Sequence, residues 1–304
     1  RCLVGSEMCI RDRRETAQEK SVEMTYDDSK IYVAITYSES DNNSYCHFKL
    51  PLVYENADRG KFNMTWAISA SCVDLNPNVI KYMNATMTEG DGYATGESGV
   101  GYVRNENVLE EYKAGFFGIS DVYAKYLNGS IRTLLNRLPQ SLDYVTYMKN
   151  LTSVLSGYSG ISQEGTYEYN SDKANYYFQD TPIFQNFCCS TADDVSDMLK
   201  NVHAQGGTFY SIGMYGWAGN LTALYNVVKS LPENIVFVSQ SQLADLYCQK
   251  MSAIYNDITE ADFDTFGNNE EISYLWYSNN YENLQEKTDI EGMEAYRFGS
   301  NEDF

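Results

Sequence analysis

Residues 30–42 read KIYVAITYSESDN, and the fold turns on how this stretch divides. Ile31-Tyr32-Val33-Ala34-Ile35-Thr36-Tyr37 is alternating and rich in β-branched and aromatic residues, which predicts a buried strand. Ser38-Glu39-Ser40-Asp41-Asn42 follows at once as a short polar cluster. α/β proteins commonly present catalytic carboxylates on a hydrophobic strand that ends in acids, because sites lie beyond the carboxyl ends of parallel strands. A polar loop that only caps the strand is the other reading of the same residues.

Working outward, residues 62–69 predict a second strand that ends in Ser69-Ala70-Ser71, and Pro77 opens a short helix over 78–83. Residues 43–59 read as a loop or short helix around Pro51. Residues 88–102 carry Gly90, Gly92, Gly96, Gly99 and Gly101 together with Glu89, Asp91 and Glu97, and predict a ligand-facing loop. No Lys-Ser or Lys-Thr follows, so it is not a phosphate loop. Apolar spacing predicts helices within 105–127, 131–138 and 142–155. The Tyr-rich residues 166–177 read as a loop or short strands.

A strand begins at Pro182, and Ser190–Asp194 caps a helix running through Val202. The strand 208–214 enters the loop Tyr215-Gly216-Trp217-Ala218-Gly219-Asn220, and a helix over 221–231, a strand over 234–238 and a helix over 239–251 complete the series. Strand–helix alternation of this kind predicts an α/β fold with a mainly parallel sheet or barrel.

The net charge of −20 argues against a nucleic-acid partner, which requires a basic face. No apolar run reaches the roughly eighteen residues of a membrane span. The 27 tyrosines fit a carbohydrate site, where flat rings with polar edges stack on sugars, or equally a Tyr-rich core. Two distant histidines, His47 and His203, give no metal pairing, and no metal or cofactor is expected.

Residues 3–13, LVGSEMCIRDR, resemble a reading frame of a transposase adapter used to build sequencing libraries. Residues 1–13 are therefore set aside as an assembly artefact, and the gene is expected to come from mixed environmental DNA. Cys2 and Cys9 drop out with them. Cys46, Cys72, Cys188, Cys189 and Cys248 remain, an odd set without a disulfide or zinc spacing. Residues 14–29 read as a linker or the remnant of a preceding domain, 30–250 as the α/β domain, and 251–304 as an acidic extension.

Gly99-Val100-Gly101-Tyr102 resembles the signature of the GxGYxYP glycoside hydrolase family. The turn Ser38–Asn42 stands where that family has an S-D-G-D-N-like turn after a strand. Arg59-Gly60-Lys61 and the following strand resemble its R-G-K strand, and 235–247 its last strand and helix. The resemblance covers roughly 30–250, the family's C-terminal domain. Arg104 and Asn105 depart from the motif's last Tyr and Pro, and Glu39 and Ser40 from its Asp and Gly.

The resemblance implies a (β/α) barrel-like fold, similar to those of sugar hydrolases and polysaccharide deacetylases. It also implies a carbohydrate substrate and an extracellular or cell-surface setting. Glycoside hydrolysis needs two carboxyls across the scissile bond. Asp41 is the first candidate. Glu97 and Asp91 are candidates for the second, with Glu39 behind them. Asn42, Gly99, Gly101, Tyr102, Trp66 and Trp217 are candidate sugar contacts. A metal-dependent deacetylase is disfavoured by the missing histidine pair. A non-catalytic glycan-binding or cell-surface protein on the same fold is the reading from another class.

Overall fold

A computed structural model describes residues 20, 22–39, 42–69, 71–95, 111–112, 133–136, 155–159, 176–178, 181–205 and 208–256. Strand β1, Ile31–Ser38, lies at the centre. Helices α1, Asn43–Phe48, and α2, Leu50–Tyr54, follow it. Then come β2, Met64–Ile68, the short α3, Cys72–Leu75, α4, Pro77–Thr86, and β3, Asp91–Thr95. The next strands are β4, Thr133–Asn136, β5, Leu155–Ser159, β6, Tyr176–Phe178, and β7, Thr181–Cys189. The described chain closes with α5, Ala192–Gln205, β8, Phe209–Tyr215, α6, Leu221–Val228, β9, Ile235–Val238, and α7, Gln240–Asn256.

The nine strands form one sheet in the order β2-β3-β4-β5-β7-β8-β1-β9, with β6 antiparallel on β7 and the other pairings parallel. The upper half of β1 also pairs with β2, Thr36 opposite Thr65 and Tyr37 opposite Trp66. Its lower half carries β9, Ile31 opposite Ile235. The whole of β1 therefore has neighbours, and Ile31 to Tyr37 are all buried. Burial on both faces is why this strand reads as a nearly continuous apolar run.

Each face has its own core. Ile31, Val33, Ile35 and Tyr37 pack with side chains of α1 to α6, while Tyr32 and Ala34 pack with Leu243, Ala244, Leu246 and Tyr247 of α7. Helix α7 lies against β1, β3, β5, β7, β8 and β9. It starts with a capping box: Ser239 Oγ accepts from Gln242 N at 3.2 Å, and Gln242 Oε1 accepts from Ser239 N at 2.8 Å. Gln240 is fully buried, its backbone N–H donating to Thr65 Oγ1 at 2.7 Å and its amide to Ser211 Oγ at 3.1 Å. These bonds fix the helix start against the middle of the sheet.

Three expectations change. The glycine-rich segment does not stay a loop throughout: Asp91–Thr95 is a parallel strand on β2. Tyr93 sits beside Trp66 in that register and is completely buried, so one aromatic residue anchors a strand that glycine otherwise disfavours. Residues 133–136, expected as helix, are strand β4, and Leu155 opens strand β5 rather than ending a helix. Both sit between parallel neighbours, where sheet pairing overrides helical spacing. The expected helix over 105–127 and the acidic segment 257–304 lie outside the described residues apart from 111–112. Residues 22–29 are fastened to α7: Gln249 accepts from Tyr26 N and donates to Met24 O, both at 2.9 Å.

Candidate functional site

Strands β1 and β8 run in register to their ends, where Ser38 lies opposite Tyr215. Beyond Ser38 the chain turns sharply, Asn42 N donating to Glu39 O at 3.2 Å. Glu39 takes a φ of +131°, in the region that favours glycine. It is the one non-glycine residue with positive φ among those described. Holding a residue there costs on the order of 1–3 kcal/mol, and such strain collects at functional sites. Glu39 is also 8% exposed, and its Oε2 accepts from Trp217 Nε1 at 3.0 Å.

The β8–α6 loop supplies that tryptophan. Gly219 N donates to Tyr215 O at 2.9 Å, and Asn220 caps α6 by accepting from Ala223 N at 3.1 Å. Tyr37 Oη donates to Gly219 O at 2.6 Å, which ties the loop to the end of β1. Burial pushes the Tyr37 phenol up to about 12, so it remains a donor at neutral pH. Tyr45 of α1 meets the Trp217 indole edge-on at 5.0 Å. Its hydroxyl is buried without a hydrogen-bond partner among the described residues, and burial raises its pKa as well. A third loop joins from β2, where Asn43 Nδ2 donates to Ser71 Oγ at 2.9 Å and the hydroxyls of Ser69 and Ser71 are 2.7 Å apart.

Three strand-to-helix loops thus meet at the carboxyl ends of β1, β2 and β8, with a buried carboxylate among them. An alanine at Gly219 tests this assembly, because its Cβ would collide with the Tyr37 hydroxyl and lie 2.8 Å from Cζ. Gly219→Ala is expected to destabilise the protein by about 1–3 kcal/mol, the usual cost of overpacking. It should also break the Tyr37 bond and change the fluorescence of Trp217. Denaturation together with emission spectra would check both effects.

The sequence-based candidates divide clearly. Glu39 and Trp217 come together. Asp41, Glu97, Gly99, Gly101 and Tyr102 lie outside the described residues. Asp91 and Trp66 require correction. Trp66 is completely buried, packed on Tyr37 at 5.5 Å and Tyr54 at 5.0 Å, and has no face for a sugar. Asp91 is 1% exposed and accepts from Trp66 Nε1 at 2.8 Å and from Thr88 N at 2.8 Å, with an ion pair to Arg59.

Its register opposite Met64 sets Asp91 four residues below the level of Glu39. That is about 13 Å along the strands at roughly 3.3 Å per residue. Asn42 is half-buried, and its side-chain oxygen is taken up in capping α1, accepting from Ser44 N at 2.9 Å and Tyr45 N at 3.1 Å. Sequence reasoning missed Tyr37 and Tyr45 as parts of this site. The signal available was their place at the end of β1 and the start of α1.

Among the described residues no helix is long and apolar enough to cross a membrane. A crystal structure of a putative hydrolase from Bacteroides thetaiotaomicron VPI-5482 resembles the chain with a TM-score of 0.64 at 16% identity, over 78% of this chain and 48% of the other. The chain therefore spans about half the length of that protein, and the likeness is one of fold. No curated protein matches the chain. Residues 29–248 match the GxGYxYP putative glycoside hydrolase C-terminal domain. The match extends from just before β1 into α7 and takes in all three converging loops, so the chain belongs to that family.

Proposed function

We propose that the protein hydrolyses a poly- or oligosaccharide by two-carboxylate acid–base chemistry, with the turn after β1 as its centre. The strained, buried Glu39 carboxylate at the carboxyl end of the central strand carries this reading. Its Oε2 accepts from the Trp217 indole N–H, and in this proposal Glu39 is assigned the role of base or nucleophile. Asp41, two residues on in the sequence, is assigned as proton donor to the leaving oxygen, with Glu97 the alternative. A separation of about 5–5.5 Å between the two carboxyls would give retention of configuration, and roughly 6.5–9.5 Å inversion.

The pairing of β1 with both β8 and β2, and a helix α7 that touches strands from around the sheet, support a barrel-like arrangement. A polymeric substrate supports an extracellular or cell-surface setting. The test is release of reducing ends from a glycan panel. Asp41→Asn and Glu39→Gln should each lower the rate by about 10²–10⁴-fold, the usual weight of a positioned acid or base. Rates equal to wild type in both variants would sink the proposal.

A second reading has its own support in the altered motif, with Arg104 and Asn105 where the family signature has Tyr and Pro. It makes the protein a glycan binder on the same fold. Binding without any hydrolysis in the wild type would decide for it.

A further inference from the structure

We infer that the groove between α2 and the β8–α6 loop is a subsite for an acidic sugar, a uronic acid residue of a glycan stacked on Trp217 and paired with Lys49. The inference rests on the carbohydrate reading above and adds a substrate class to it.

The groove has a volume of about 360 Å³, within the range of small-ligand pockets, roughly 300–1,000 Å³. Its walls include Leu52, Val53 and Trp217, with Lys49, Asn56 and Asn220 supplying polar groups. Leu52 is 68% exposed and Trp217 43% exposed, an unusual amount of open apolar surface for two neighbouring side chains. The indole N–H is taken by Glu39, so what Trp217 offers the groove is the carbon surface of its ring. Such a surface suits the C–H side of a pyranose ring.

The polar lining selects further. Asn220 uses its side-chain oxygen to cap α6, and its amide N–H₂ remains to donate to a ligand oxygen. Lys49 is the one charged residue of the lining and pairs with no carboxylate among the described residues. In a chain of net charge −20, a groove whose charged lining is a single cation is set apart from its surroundings. The lining thus carries donors and a cation and, among the described residues, no acid of its own, which matches a sugar bearing a carboxylate. Trp217 serves both places: one side walls the groove, and its N–H holds Glu39. A ring stacked on the indole would therefore stand next to the proposed centre.

The experiment is calorimetric titration of the full chain with oligogalacturonides and with the neutral galacto-oligosaccharides of equal length. Wild type should prefer the acidic series. Lys49→Gln, a change at a partly exposed lysine, should weaken acidic binding about tenfold, the scale of one charge-assisted hydrogen bond, and leave neutral binding unchanged. Trp217→Ala should weaken both series. Equal affinity for the two series in wild type, no sugar binding at all, or unaltered acidic binding by Lys49→Gln would overturn the inference. Lys49-dependent binding without hydrolysis of any glycan would keep the subsite and remove the hydrolase reading. Hydrolysis with binding indifferent to Lys49 would do the reverse.

Discussion

Asp91→Ala is expected to lose about 3–5 kcal/mol of folding stability, the range for breaking a buried ion pair from one side. The Asp91 side chain is fully buried, and that of Arg59 is 12% exposed. One carboxylate oxygen takes the Trp66 indole N–H at 2.8 Å; the other takes Thr88 N at 2.8 Å, Thr88 Oγ1 at 2.7 Å and the Arg59 guanidinium. Arg59 in turn stands 3.9 Å over the Tyr54 ring and donates to Thr86 O at 2.8 Å.

The alanine variant leaves the buried Trp66 indole N–H and the Thr88 donors without their acceptor and takes the carboxylate from a mostly buried guanidinium, and each orphaned donor adds a desolvation cost. Asp91→Asn should lose less, because its oxygen can still accept from Trp66 while its nitrogen faces Thr88 N and Arg59 as one more donor. Urea unfolding at unchanged m-value measures both variants. Stability within about 0.5 kcal/mol of wild type, the range of an ordinary surface change, would refute the structural role and return Asp91 to the catalytic candidates.

How much of this was readable from the sequence varies with the physics of each element. β1 was legible because both of its faces are buried, which leaves a continuous apolar signature. The β8–α6–β9–α7 series was legible because each helix carries its cap, Asn220 for α6 and Ser239 with Gln242 for α7. β3 was not. Its DGYAT sequence has a single large apolar residue, and its existence depends on Tyr93 registering with Trp66 of a strand more than twenty residues earlier.

The role of Asp91 was hidden for the same reason. An acid in a glycine-rich stretch looks solvent-facing until Arg59 and Trp66 are folded against it. Glu39 was visible as an acid at a strand end, but its backbone strain is invisible to composition. Its indole partner lies 178 residues away, a pairing that only the β1–β8 register creates.

Glu39→Ala and Glu39→Gly together separate strain from chemistry. Both variants delete the carboxylate and the Trp217 bond, so those losses cancel in the comparison. What remains is the backbone at φ +131°, which glycine accepts and alanine resists. The glycine variant should therefore be more stable than the alanine variant by about 1–3 kcal/mol. The usual order is the reverse, since Gly loses more freedom on folding than Ala, by roughly 0.5–1 kcal/mol in regular structure. An alanine variant as stable as the glycine variant, or more so, would show that the turn relaxes and stores no strain.

Activity should not follow stability. Under the two-carboxylate proposal both variants lose hydrolysis by about 10²–10⁴-fold, including the better-folded one. A glycine variant that is more stable yet inactive would mean that the side chain, not the turn, is what the strain maintains. Backbone strain at the end of a central strand then has a reason: it directs one carboxylate toward the Trp217 loop, where a relaxed turn would send it elsewhere. A glycine variant that keeps wild-type hydrolysis would remove Glu39 from the mechanism and leave the strain as a property of the turn alone.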